Sequence, residues 1–222
     1  MSVARTRLRR TVSVLALGVL GPALSVAAVT PAQATPTASS ASVQNRAQRV
    51  QPAATGATAD LAGTFKKLNI TMQQQQQSNW CWAASGNTIA TWYGYTYSQN
   101  QFCNAAFGRS TNSSCPNSQA TLGDVQNGLS WVGINPGSYV TGYLRYSTVQ
   151  TEVNANRPIE TRIQWSSGGG HMHVVYGFDT SNNWVYWGDP WPSNTRYNWA
   201  DYNYYVSNGT FSWTHSLYRI GA

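Results

Sequence analysis

The sequence predicts an α+β fold, a helical first half followed by an antiparallel sheet. Three observations predict it. Between Cys81 and Pro158 apolar residues recur at the three-to-four spacing of helices, and from Ile159 the period drops to two. Gly-, Ser- and Asn-rich turns then separate the alternating runs, as antiparallel strands require.

The chain opens on a segment outside that fold. Arg5, Arg7, Arg9 and Arg10 precede an apolar run from Val12 to Val29 and then Ala32-Gln33-Ala34, the order of a secretory signal with a small-residue cleavage site. Gly18, Gly21, Pro22 and Ser25 interrupt the run, which favours cleavage over a membrane anchor. Residues 1–34 are therefore expected to be a signal peptide. The mature protein is expected to be secreted and extracellular, with no membrane association once the signal is removed. Residues 35–60 are rich in Ala, Thr, Ser, Pro and Gln, too poor in apolar surface to offset the entropy of ordering, and read as a linker or short pro-segment. That leaves 61–222 as one domain with a sizeable core.

The formal charge of +7 overstates the basicity, because four of the fourteen Lys and Arg lie in the signal. Ten remain against seven Asp and Glu, a net of +3. Nucleic-acid binding would need a clustered basic face, so no nucleic-acid partner is expected.

Trp82, Ile89 and Trp92/Tyr93 share a helical face and predict a helix over 81–93, with Ser78 or Asn79 as its cap. Cys81 then opens the helix, where the macrodipole and unpaired N–H groups stabilise a thiolate. A second helix starts at Thr121, whose capping partner is Asp124, with Leu122, Val125 and Leu129 on one face. A third starts near Ser147, with Gln150 three residues on, and ends before Pro158. Ile159, Thr161, Ile163 and Trp165 alternate with Glu160, Arg162 and Gln164 in a half-buried strand. Further strands follow at 172–178, 184–187 and 209–220.

Three cysteines in an exported chain leave one unpaired. Cys103 and Cys115 flank a polar Gly/Ser/Asn-rich loop and are the natural disulfide. Cys81 remains free. Downstream lie His171 in Gly-Gly-Gly-His-Met-His and Asp189 in Gly-Asp-Pro-Trp, which supply a base for the thiol and a carboxylate to orient that base.

A cysteine in Asn-Trp-Cys-Trp-Ala-Ala at a helix start, with a histidine on a later strand, resembles the papain-like cysteine peptidases, in the branch of secreted bacterial and AvrRpt2-like or C39-like enzymes. The resemblance covers most of 70–192. It implies a fold whose helical part carries Cys81 and whose sheet carries His171 and Asp189, acting as nucleophile, base and orienter on a protein or peptide substrate. It also implies an oxyanion donor six residues before the cysteine, which is Gln75, with Gln76 next in the run Gln73 to Gln77. His171 precedes Gly177-Phe178 by six residues, the family spacing, so the resemblance makes it the base. His173 lies on the same strand face and is the alternative. His-x-His also suits zinc, but the further ligand would be His215, Cys81 or a carboxylate without recognisable metal spacing, so no metal or cofactor is expected. His215 itself reads as a packed or surface residue. The rival functions are a CHAP-type peptidoglycan amidase or endopeptidase and a silent, aromatic-rich binding module. A monomer is expected.

Overall fold

A computed structural model describes residues 64–222. The signal peptide expected at 1–34 and the linker or pro-segment expected at 35–60 lie outside the described residues. Within them the chain runs β1 (Phe65–Lys67), α1 (Cys81–Trp92), α2 (Gln99–Ala106), α3 (Leu122–Val132), β2 (Ser138–Thr141), α4 (Tyr146–Asn154), β3 (Ile159–Trp165), β4 (Gly170–Asp179), β5 (Trp184–Gly188), β6 (Tyr197–Asp201), α5 (Tyr202–Val206) and β7 (Phe211–Tyr218). One sheet takes the order β2-β7-β3-β4-β5-β6, with β1 paired to β4, and every pairing is antiparallel. The predicted α+β class is the observed one. Among the described residues no helix is long and apolar enough to cross a membrane.

Helix α1 begins at Cys81 as its pattern implies, and residues Trp82 to Ala90 are all buried. Its expected caps are used elsewhere, and no side chain caps it. The Ser78 hydroxyl accepts from Asn117 Nδ2 at 2.8 Å, and Asn79 donates to Asn117 O at 2.9 Å, tying the turn before the helix to the loop after the disulfide. Helix α3 carries the expected Thr121/Asp124 capping box and ends at Gly133 with φ 94°, a backbone state that costs glycine least. Helix α4 starts at Tyr146, one residue before Ser147, and has no side-chain cap. Burial explains that start, since the Tyr146 hydroxyl reaches the carbonyl oxygens of Asp179 and Trp184, both at 2.8 Å.

Helix α2 was not expected, because Cys103 to Cys115 reads as a polar loop. Its signal is Ser98-x-x-Gln101, a complete capping box. The helix carries Phe102 into the space between α1 and α3, and the Cys103–Cys115 disulfide, with Cα atoms 6.1 Å apart, closes its far end. Glycines make the fit possible: a Cβ on Gly86 or Gly128 would meet the Phe102 ring at 2.6 or 2.7 Å.

On β3 the alternation holds for Ile159, Thr161, Ile163 and Trp165 but misjudges the other face. Glu160 is 0% exposed, between Val174 and Leu217 of the neighbouring strands, and neither carboxyl oxygen has a hydrogen-bond partner. The sheet is covered on both faces here, so polarity no longer marks solvent. Burial raises the Glu160 carboxyl well above 4.5, and charge on Cys81 adds in the same direction. Glu152 is buried differently, held by Arg157 Nε at 2.7 Å and by the Arg219 N–H at 3.0 Å.

The folded chain thus keeps a proton on Glu160 that the unfolded chain releases above about 4.5, so this residue lowers stability as pH rises from there towards its folded value. Glu160→Met should raise the urea midpoint, and by more at pH 8 than at pH 5; an equal gain at both would show that Glu160 is not held protonated. Gly86→Ala should cost about 1–3 kcal/mol by crowding Phe102, measured by the same titration.

Candidate active site

Cys81 is the free cysteine of the described residues, and it lies in a solvent-open cleft of about 500 Å³ with Asn79, Trp82, Gln119, Arg162, His171 and Trp191 among its walls. Each wall has a structural origin. The N-terminus of α1 supplies Cys81, the start of β4 supplies His171, and the turn after β5 supplies Asp189 and Trp191. Helix α1 is fastened to β4 by Ser85 Oγ, which donates to Met172 O at 3.4 Å, one residue beyond His171.

Asp189 is 1% exposed, and a buried carboxylate is costly unless its lone pairs are filled. Oδ1 accepts from His171 Nε2 at 2.8 Å and from the Trp191 N–H at 2.8 Å, while Oδ2 accepts from Asn194 Nδ2 at 2.8 Å and faces His173 Nε2 at 3.5 Å. Burial alone would raise its pKa, but the two histidines, led by the charge of His171, hold it well below the ordinary carboxylate value. Arg196 braces the turn by donating to the carbonyl oxygens of Asp189 and Trp191.

The two histidines, on one face of β4, are driven apart by their partners. For His171 burial pushes downward, but the charge and hydrogen bond of Asp189, with a further contribution from Cys81, outweigh it and raise the pKa to about 10. With Nε2 on Asp189, Nδ1 is the ring nitrogen left for Cys81. His173 goes the other way, because burial and the neighbouring charge of His171 exceed what Asp189 restores. Its Nδ1 lies 3.2 Å from the Tyr205 hydroxyl, which is 2.7 Å from Thr161 Oγ1. A neutral His173 can accept from Tyr205, while its Nε2, 3.5 Å from Asp189 Oδ2, has no hydrogen-bond partner among the described residues. Trp165 stacks near His171 with centroids 6.0 Å apart and Trp191 meets it edge-on at 6.2 Å, keeping water from the His171–Asp189 bond.

Gln75 sits in the expected turn but with its amide engaged. Its Nε2 donates to Gln77 O at 2.9 Å and Ser78 O at 2.8 Å, its backbone N–H donates to Pro190 O at 2.9 Å, and it does not line the cleft. Oxyanion donation from Gln75 therefore requires one of these bonds to open. Gln76 is exposed. The rest of the run is structural: Gln73 Oε1 accepts from Asn87 and Gln99, and Gln74 O accepts from Gln99. His215 lies outside the cleft, with Nδ1 3.0 Å from Thr214 Oγ1.

His171, His173 and Asp189 are the described residues that could gather around a metal ion, their ligating atoms all within 4.8 Å of one another. A cation there would have to displace the Asp189 hydrogen bonds. Sequence reasoning missed Arg162, which it read as the polar side of a strand, and Asn194, which it did not single out.

A free cysteine opening a buried helix, facing a histidine and carboxylate held by an antiparallel sheet, has the architecture of a papain-like cysteine peptidase. The chain belongs to the family described as papain-like cysteine protease AvrRpt2, matched over residues 64–207. Solved structures similar to it include the peptidase domain of Streptococcus ComA, a bifunctional ABC transporter of a quorum-sensing pathway (18% identity, 66% of this chain and 95% of that one, TM-score 0.48). A double-glycine-motif protease of an AMS/PCAT transporter, in complex with a leader peptide, is similar at 16% identity, 68% and 92% coverage and TM-score 0.43. Xylellain, a cysteine protease of Xylella fastidiosa, is similar at 11%, 69% and 85%, with TM-score 0.45. No curated protein matches the sequence.

Asp189→Ala removes what holds the His171 proton, so burial acts unopposed. The His171 ring should then titrate far below its value of about 10, followed by NMR of the imidazole; an unmoved titration would detach Asp189 from His171. The rate of Cys81 alkylation at pH 7, timed by mass spectrometry, should fall in His171→Ala and hardly change in His173→Ala.

Proposed function

We propose that the protein is an exported cysteine peptidase that cleaves peptide bonds through Cys81, His171 and Asp189. The observation that carries this reading is the position of free Cys81 at the start of α1, in an open cleft beside a histidine that Asp189 keeps protonated. A protonated imidazole supports a thiolate and is ready to act as an acid. The Cys81 sulfur adds to the scissile carbonyl, the His171 proton passes to the leaving amine, and the thioester is hydrolysed by water that His171 deprotonates. Asp189 holds the ring in orientation throughout. In this reading the Cys81 N–H, at a helix start without a capping side chain, donates to the oxyanion, and Gln75 joins by releasing a carbonyl of its own turn. Export rests on the basic and apolar order of residues 1–34.

Cys81→Ala should abolish hydrolysis of casein and leave the thermal unfolding midpoint within a few degrees. Incubation of the 61–222 region, within the full chain, with a papain-type epoxide should give one adduct, located at Cys81 by mass spectrometry. Hydrolysis by Cys81→Ala at the wild-type rate would refute the mechanism. Asp189→Asn should lose less activity than His171→Ala, since its carbonyl oxygen still accepts from the ring.

A further inference from the structure

The geometry points to Arg162 as the residue that selects substrates with an acidic side chain one or two residues from the scissile bond. This rests on the peptidase reading above and adds the substrate class. Apart from the nucleophile, the charged side chains lining the cleft are Arg162 and His171, and the lining includes no Asp or Glu.

Arg162 is half-buried, with its guanidinium held by two side-chain hydrogen bonds. Its Nη1 donates to Thr214 Oγ1 at 2.9 Å and its Nη2 to Gln164 Oε1 at 3.0 Å, both neutral acceptors, and none of the described ion pairs involves it. Of its five N–H donors, these bonds engage two. A guanidinium on the wall of a cleft, without a carboxylate of its own, is matched by a carboxylate of the substrate.

Two backbone features serve this placement. The pairing of β3 with β7 shifts register between Arg162 and Ile163, passing from Arg162↔His215 to Ile163↔Trp213 and leaving Thr214 as the extra residue. Such bulges re-aim side chains; here Thr214 also donates back to Arg162 O at 3.2 Å. On the other side Gly170, the residue before His171, lies flush under the guanidinium. A Cβ there would meet Arg162 Nη2 at 2.6 Å and Cζ at 2.7 Å. The absence of a side chain at 170 is what lets the cation lie against the backbone that carries the base. His215, opposite Arg162 on β7, has its pKa lowered by burial and then by the Arg162 charge, and a histidine in either state adds no negative charge to neutralise the site.

The test uses acetylated and amidated peptides with a vinyl sulfone warhead, identical except for Asp, Asn or Lys at the first or second residue from the warhead. The Cys81 adduct is timed by mass spectrometry on the full chain. Wild-type protein should react with the better-placed Asp probe about 10–100-fold faster than with its Asn counterpart, and slowest with Lys. In Arg162→Met the Asp/Asn rate ratio should fall to near one, and in Arg162→Glu the Lys probe should overtake the Asp probe. These ratios divide out any general loss of reactivity. Equal wild-type rates for Asp, Asn and Lys would overturn the assignment of Arg162 while leaving Cys81 chemistry intact. Absence of a Cys81 adduct with every probe would overturn the peptidase reading itself.

Discussion

A single buried carboxylate organises the cleft. Asp189 is out of water, so its charge must be met by donors from the protein: His171 on β4, and Trp191 and Asn194 in the turn beyond β5, with His173 of β4 facing it at 3.5 Å. Leaving such a charge with a donor missing costs several kcal/mol. The turn, the first half of β4 and the orientation of the His171 ring are consequently one unit. Arg196 extends it, since its Nη2 reaches Gln74 Oε1 at 3.3 Å and so joins the turn to the strap that leads into α1.

The strap shows how a polar run becomes structure. Gln73 and Gln99 exchange bonds with each other, with Asn87 and with the backbone between them, so amide groups fill the seam between the strap, α1 and α2. Buried amides of this kind are stabilising only when nearly every donor and acceptor is used. Gln75 follows the rule only in part: its Nε2 is held by its own turn, while its buried Oε1 has no hydrogen-bond partner among the described residues. The oxyanion role proposed for Gln75 would therefore compete with a structural one.

Two fully buried acids near the cleft take opposite states. Asp189 has three hydrogen-bond donors and stays charged, whereas Glu160 has none among the described residues and stays protonated. The contrast sets the electrostatics of the site: a charged Glu160 would oppose negative charge on Cys81, while charged Asp189 keeps His171 positive beside it. With Arg162 also lining it, beside the backbone that carries His171, the cleft presents positive charge to whatever enters.

Much of this was legible because local pattern records local causes. The start of α1 at Cys81, the capping box at Thr121, the alternation of Ile159 to Trp165 and the pairing of Cys103 with Cys115 all follow from near-neighbour spacing, and all are present. Helix α2 had a readable cap at Ser98, but the polar composition around it concealed it. What the sequence by itself determined was most of the segments that form helix or strand and the candidate residues that the fold brings together, since propensity, capping and period act within a few residues. Only the tertiary structure decided that Glu160 is inside, that the glutamine run is a seam, that His171 meets Asp189 at 2.8 Å while His173 meets Tyr205, and that Arg162 faces the cleft. Those outcomes depend on which faces are covered and which side chains meet across separations of tens of residues, and burial and long-range pairing leave no periodic trace in the chain.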